Sequence, residues 1–352
     1  MLPYSMGIME RGVRGLFARE FLTKQKKVKY TNFTTVVDSD KQEEKYSMIS
    51  TLPQLSLLKD ERILAGFSEY SYKIMNQVYA TGIRVPRTLF EYDQTGQLRT
   101  LVQSLGARVA NFPDKLIAVL LGANTTCFDS GAMFSVTHDL GNGVSQINLI
   151  TGNMTNALIN NSGSTSKDNR DNCIAAAQMD LIAAKNAILA WKDDRGEPWH
   201  DDAEAEGLII VCHPAAELFL RTIIEATVIQ NTGNISVKSV GRIITINRDD
   251  PFLYSDGTVH KGTWYLMKTD TPVQPFIFQR FGAKKDFPDA IPEADQEVLK
   301  ALSAVEIQSV MRTGQNISEF TFFNDEFLFG ARTQYSVGNG MPMNVVKIEA
   351  AS

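Results

Sequence analysis

The sequence predicts an α+β chain whose architecture reaches outward, and three observations predict it. Residues 69–123, EYSYKIMNQVYATGIRVPRTLFEYDQTGQLRTLVQSLGARVANFPDKLIAVLLGA, read as a long strand passing almost directly into a long helix. A separate stretch from residue 207 alternates buried-strand and helix patterns. The first thirty residues form a basic, amphipathic segment of their own. A long strand with little core material around it stabilises a monomer poorly, but it can bury its apolar face on a neighbour.

From the N-terminus, MERGVRGLFAREFLTKQKK carries Arg11, Arg14, Arg19, Lys24, Lys26, Lys27 and Lys29 against Glu10 and Glu20. Val13, Leu16, Phe17 and Phe21 recur at helical spacing, which predicts a short helix with one apolar stripe. That helix either docks its stripe on its own chain or lies as an arm on a neighbour or an anionic partner. Residues 30–45 are polar and read as irregular or extended. Segments 45–58 and 67–85 are rich in aromatic and β-branched residues and predict the two sides of an extended hairpin. Lys59-Asp60-Glu61-Arg62 forms its charged tip.

Pro86 ends the strand. Leu98, Leu101, Val102, Leu105 and Val109 then follow 3–4 spacing, and Leu116, Ile117, Leu120 and Leu121 resume it beyond Pro113. A helix over residues 95–123 is expected, about 40 Å long, kinked or restarted at the proline. A Gly/Asn/Ser/Thr-rich connection follows, then a second helix over residues 169–192 with Ile174, Leu181, Ile188 and Leu189 on one side. Residues 207–213 read as a buried strand, and Pro214 opens a helix to about residue 227. Residues 239–247, 263–267 and 275–281 read as strands. Residues 320–348 read as a hairpin turning at Gly338-Asn339-Gly340.

The chain has 352 residues and a net charge of −5, which gives no general pull towards nucleic acid or anionic membrane. No apolar run looks as long as the roughly 18–20 residues that span a bilayer. The N-terminus lacks a signal-peptide pattern, so a soluble protein made in the cytoplasm, with no membrane partner, is expected. Cys127, Cys173 and Cys212 are odd in number and widely spaced, which fits reduced thiols. Ser135, His138 and Asp139 are close in sequence, but no nucleophile elbow accompanies them. Cys127, His138, Cys212 and His213 lack metal-site spacing, and no phosphate-loop or dinucleotide motif is present. We therefore expect no enzyme activity, no cofactor and no metal. A Cys/His metal-dependent enzyme is the weaker rival.

Four places together resemble the major capsid (head) proteins of tailed bacteriophages with the Hong Kong 97-type fold, and within them the Mu-like major head subunit group. They are Glu44-Lys45-Tyr46 leading to Pro53-Gln54-Leu55, the strand YSYKIMNQVYATGIRVPR, the run Phe128-Asp129-Ser130-Gly131…Phe134…Thr137-His138-Asp139, and the tail EFLFGARTQYSVGNG. Their order carries the resemblance over nearly the whole chain.

The resemblance implies a Hong Kong 97-like capsid fold. Residues 1–44 would be an N-terminal arm and residues 45–85 an extension loop. Residues 86–206 with 320–352 would form a peripheral domain with the spine helix at 95–123, and residues 207–319 an axial α/β domain. It implies subunits that self-assemble into hexamers and pentamers of an icosahedral virion shell around double-stranded DNA, built in the host cytoplasm. Leu55, Leu57, Lys59, Arg62, Tyr70 and Tyr72 would make intersubunit contacts in the extension loop. Arg11, Arg14, Arg19, Lys24, Lys26 and Lys27 would face DNA or a neighbour. A portal protein, a separate scaffolding protein or protease, and a decoration protein are the further partners it implies. Some members crosslink lysine to asparagine, but the setting of Lys59 and Lys73 does not mark either as such a lysine. An encapsulin-type nanocompartment shares the fold and is the nearer alternative.

Overall fold

The computed structural model describes residues 3–49, 69–91, 96–139, 145–162, 167–193, 196–225, 240–254, 257–283, 292–310 and 319–350. The first half runs α1 (Pro3–Gln25), β1 (Thr34–Ser39), β2 (Glu43–Ile49), β3 (Glu69–Met75), β4 (Gln77–Pro86), α2 (Arg87–Glu91), α3 (Gln97–Ala110), α4 (Phe112–Ala123), β5 (Leu149–Gly152), α5 (Asn156–Ser162) and α6 (Lys167–Ala190). The second runs β6 (Leu208–Cys212), α7 (Pro214–Glu225), β7 (Arg242–Thr245), β8 (Trp264–Lys268), β9 (Phe276–Phe281), α8 (Glu293–Ser303), β10 (Val305–Val310), α9 (Glu319–Asn324), β11 (Glu326–Asn339) and β12 (Val345–Ala350).

The strands form two five-stranded sheets and one ribbon. The first sheet is built on β11. Its residues Glu326–Tyr335 pair antiparallel with β4. Leu328–Thr333 pair antiparallel with β10, and Tyr335–Asn339 with β9. Tyr335 pairs with both Gln77 and Arg280, so β4 lies on one edge of β11 while β10 and β9 share the other. β1 adds parallel to β9. Alternation along β11 turns Phe327, Phe329 and Ala331 inward. There they meet Val13, Phe17 and Phe21 of α1 and Val102, Leu105 and Val109 of α3 in one cluster.

The second sheet has the order β5-β12-β8-β6-β7. Every residue of β6 and β8 is buried, because both faces are covered. Ile210, Leu266 and Ile348 face α6 and α7. Val211, Tyr265 and Val345 face α4 and the aromatic cluster around Tyr30, Phe278 and Tyr335.

Several expectations need correction. The predicted hairpin side at 67–85 divides at Asn76: β3 pairs with β2, whereas β4 joins the first sheet. The predicted terminal hairpin is absent, because β11 and β12 belong to different sheets. Gly338 and Asn339 continue β11, and a Cβ on Gly340 would stand 2.4 Å from the Gln274 carbonyl oxygen. Gly340 thus permits a close crossing of backbones.

These sheets also cut the chain elsewhere than at residues 207 and 320. α6 and β12, expected in a peripheral domain, pack in the second sheet's unit. β9, α8 and β10, expected in an axial domain, build onto the first. Residues 30–45, read as irregular or extended, contain β1. Residues 169–190 are long and apolar enough to cross a membrane by length and composition alone, contrary to the expectation that no run is. In the fold, one face of this helix is core, with Cys173, Ala177, Ala184 and Ile188 fully buried.

The long helix breaks where the sequence placed Pro113. α3 ends at Ala110 and α4 begins at Phe112, with Asn111 between them at ψ 0°. Its buried stripe is narrower than the spacing suggested, since Leu101 is exposed. α1 lies on α3 at close range, because a Cβ on Gly106 would stand 2.8 Å from the Phe17 carbonyl oxygen. Phe17 is 2% exposed and stacks on Phe21. Phe17→Ala should therefore cost about 3 kcal/mol, read in urea unfolding of the purified chain. An unchanged midpoint would show that α1 does not dock on its own chain.

Candidate assembly surfaces

The ribbon of β2 and β3 is held at one end only, among the described residues. At its base Tyr46 Oη donates to Gln279 Oε1 at 2.9 Å. Asn76 Nδ2 donates to the Lys41 carbonyl at 2.8 Å and to Ser39 Oγ at 3.2 Å. Ile74, 3% exposed, and half-buried Tyr72 pack into the aromatic cluster. Tyr72 therefore serves the base of the ribbon on its own chain. Tyr70 sits in β3 opposite Met48. Leu55, Leu57, Lys59 and Arg62 lie outside the described residues. Neither Asn76, inside the strand YSYKIMNQVYATGIRVPR, nor Gln279 was singled out in the sequence.

Ten residues of β4 pair with β11 on one edge, and the other edge has no strand partner among the described residues. Val78 on this strand is 56% exposed. An open edge of this length offers a row of backbone donors and acceptors to another chain.

The cations of α1 divide by contact. Arg14 Nη2 reaches Glu10 Oε1 at 2.9 Å and Ser309 Oγ at 3.0 Å, and Lys26 Nζ reaches Asp295 Oδ1 at 2.7 Å. Those two tie the helix to β10 and α8. Arg11, Arg19 and Lys27 are exposed, and Lys24 is half-buried. Of the two readings for this helix, the docked stripe is the one the described contacts contain.

The Phe-Asp-Ser-Gly and Thr-His-Asp runs meet in a buried lock. His138, 1% exposed, places Nδ1 2.5 Å from Asp129 Oδ2 and Nε2 3.2 Å from Asn148 Oδ1. Asn148 Nδ2 donates to the carbonyls of Met133, at 2.7 Å, and Pro342, at 3.2 Å. Gln146 exchanges backbone hydrogen bonds with His138, and its side chain bonds the backbone of Lys192. Trp191 lies against the imidazole. Both ring nitrogens are committed to structural partners. The partner of His138 is Asp129, whereas its sequence neighbours Ser135 and Asp139 had drawn attention. The Ser135 hydroxyl bonds Thr137.

Titration follows the same geometry. Burial alone would raise the Asp129 carboxyl, but the His138 hydrogen bond and charge outweigh it and hold the group below the usual carboxylate range. Burial pushes the Cys127 and Cys212 thiols up to about 12 and Cys173 to about 11, so none is a ready nucleophile. Burial lowers His200 and His213. Among the described residues no group of three or more His, Cys, Asp or Glu side chains could hold a metal ion.

Residues 8–162 match the family model described as Mu-like prophage major head subunit gpT. That stretch is similar to the Mu-like major head subunit family. It includes α1, the ribbon, β4, α3, α4 and the Asp129–His138–Asn148 lock. The Mu-like prophage FluMu major head subunit of Haemophilus influenzae is 30% identical over 121 residues, 34% of this chain and 39% of that protein. The major capsid protein of Escherichia phage Mu is 27% identical over 111 residues, 31% of this chain and 36% of that protein. The alignments thus span well under half of these relatives.

Beyond residue 162 the likeness is one of fold. A chain of the bacteriophage JBD30 procapsid matches with TM-score 0.51 and 15% identity, over 100% of this chain and 77% of that one. A chain from the mature capsid of bacteriophage PhiM1 matches with TM-score 0.54 and 11% identity, over 92% and 87%. The chain therefore has a mixed α+β fold of the Hong Kong 97-like capsid type.

The lock gives a pH test. Because the folded Asp129 pKa lies below its unfolded value, its contribution is complete above the unfolded carboxylate range, about pH 4. It is lost as pH falls through the lowered folded value. Asp129→Asn should cost about 1–3 kcal/mol at neutral pH and flatten the acid limb of stability against pH. An acid limb identical to that of the parent would remove Asp129 from the lock.

Proposed function

We propose that this chain is the major capsid protein of a Mu-like phage head. It is a structural, non-enzymatic subunit that assembles with its own copies into a virion shell. The observation that carries the reading is the β2–β3 ribbon, anchored to its own chain at the base alone, within a stretch that is similar to the head-subunit family.

In this reading the extension loop is the ribbon with the residues between its strands, 43–75, and Leu55, Leu57, Lys59, Arg62 and Tyr70 contact an adjacent subunit. α3 and α4 form the spine of a peripheral unit completed by the first sheet. The second sheet with α6 and α7 forms the axial unit around fivefold and sixfold axes. The shell consists of hexamers and pentamers enclosing double-stranded DNA. Its other partners are a portal protein, a separate scaffolding protein or protease, and a decoration protein. The exposed Arg11, Arg19 and Lys27 face DNA or a neighbour through a salt-dependent attraction that reads no sequence.

Assembly of this kind needs no single large interface. Several modest contacts per subunit, each burying apolar surface or pairing strands, multiply through valency. Deleting residues 57–66 should leave a soluble, folded chain that forms no closed shells in negative-stain electron microscopy. Closed shells from that variant would refute the extension-loop assignment. Particles from induced cells should protect DNA from nuclease, whereas particles holding protein cargo and no DNA would favour a nanocompartment.

A further inference from the structure

α6 has two apolar faces, and its own chain uses one. Inward, Cys173, Ala177, Leu181, Ala184 and Ile188 pack on the second sheet. Asp180 is also turned inward, where it accepts from the backbone N–H of Asn153 at 2.7 Å and of Met154 at 3.0 Å. Outward stand Asn172, Ala175, Met179, Ile182, Asn186 and Leu189, all exposed. Their spacing is 3-4-3-4-3, the periodicity of a helix–helix seam. Met179 is 60% exposed, Ile182 55% and Leu189 40%.

This face is unlike the outer faces of α1, α3 and α7. α1 presents Arg11, Arg14 and Arg19, α3 presents Arg99 and Arg108, and α7 presents Arg221. From Asn172 to Ala190 the only charged residues of α6 are buried Asp180 and half-buried Lys185. An uncharged strip of aligned apolar side chains is surface that a partner can bury without desolvating a charge. A charged helix face laid on it would lose solvation with no counter-charge to meet, so the covering surface must itself be neutral.

The seam runs about 26 Å. With a helix's width of about 10 Å, it buries about 260 Å² per side, against the roughly 800 Å² per partner of a standard stable complex. It is too small to hold a lone dimer and suits a contact repeated around a closed assembly.

We infer that the outer face of α6 is an intersubunit contact, covered by a neutral surface of a second copy of this chain. The inference rests on the shell reading above. Exposed neutral candidates for the facing surface are Val136 with Ile147, and Leu253 with Tyr254. Asn172 and Asn186 flank Ala175, Met179 and Ile182 and fix the register, as a polar residue within an apolar seam does.

The test uses the full-length protein with a benzophenone amino acid at position 182, irradiated as assembled particles and as dilute subunits. Irradiated particles should yield a covalent species of twice the chain mass that dilute subunits do not, with peptides from the same sequence on both sides. In parallel, Ile182→Lys should leave the thermal midpoint unchanged. It should raise the subunit concentration needed for assembly about tenfold, the effect of losing one well-placed contact residue.

Particles that form normally with Ile182→Lys and give no crosslink would overturn the α6 contact while leaving the shell reading intact. An unmodified chain that stays monomeric at every concentration would overturn both. Binding of the unmodified protein to phosphatidylcholine vesicles, abolished by Ile182→Lys while particles still form, would assign the seam to lipid and overturn the inference.

Discussion

The rest of the structure depends on the pairing of β11. This one strand of 14 residues holds β4 along one edge and β10 and β9 end to end along the other. Through β9 it holds β1, and its inward residues seat α1 and α3. A shift of register by one residue would turn Phe327 and Phe329 outward and empty the cluster beneath the helices. The base of the ribbon depends on the same strand, since Tyr46 bonds β9 and Tyr72 and Ile74 lie in the cluster that contains Tyr335 and Phe278.

A second constraint joins the two sheets. After Asn339 the chain leaves the first sheet and enters the second at Val345. Asn339 Nδ2 donates to the carbonyls of Thr125, at 2.9 Å, and Thr126, at 3.0 Å. Asn148 bonds the carbonyl of Pro342. Arg280, 1% exposed, bonds Asp38 and sits 2.8 Å from Glu297, so β1, β9 and α8 meet at one buried guanidinium. Removing both carboxylates would leave this buried charge without compensation.

The legible parts of this chain were those with a local physical signature. The apolar spacing of α3 and α4 and the break at Pro113 follow from helix geometry and the missing proline N–H. The buried run at β6 and the proline that opens α7 were equally plain. Strand composition announces that a strand exists, but it does not say which strand it pairs with. The division at Asn76 and the separation of β11 from β12 were therefore hidden. β1, TTVVDS, is short and half-buried, and it lacks a strong alternation. The His138 lock shows the same limit, for its partners Asp129 and Asn148 stand 9 and 10 residues away on opposite sides. Chain neighbours gave no guide to which groups converge.

Under the shell reading proposed above, a subunit must remain soluble before it assembles, and the division of faces fits that need. The cationic positions of α1 and α3 keep those outer faces wet. Among the described residues, the apolar surface left over lies on narrow elements, the β4 edge and the α6 seam, and on single side chains such as Leu218 and Phe323. An exposed strip of about 260 Å² is below the largest apolar patch that soluble monomers ordinarily tolerate, so it does not by itself drive aggregation. Such strips gain force only when a neighbour's position is already set by other contacts, because the entropy of bringing the copies together has then been met once for all of them. Weak, separated surfaces on a rigid framework therefore favour closed assemblies over disordered ones.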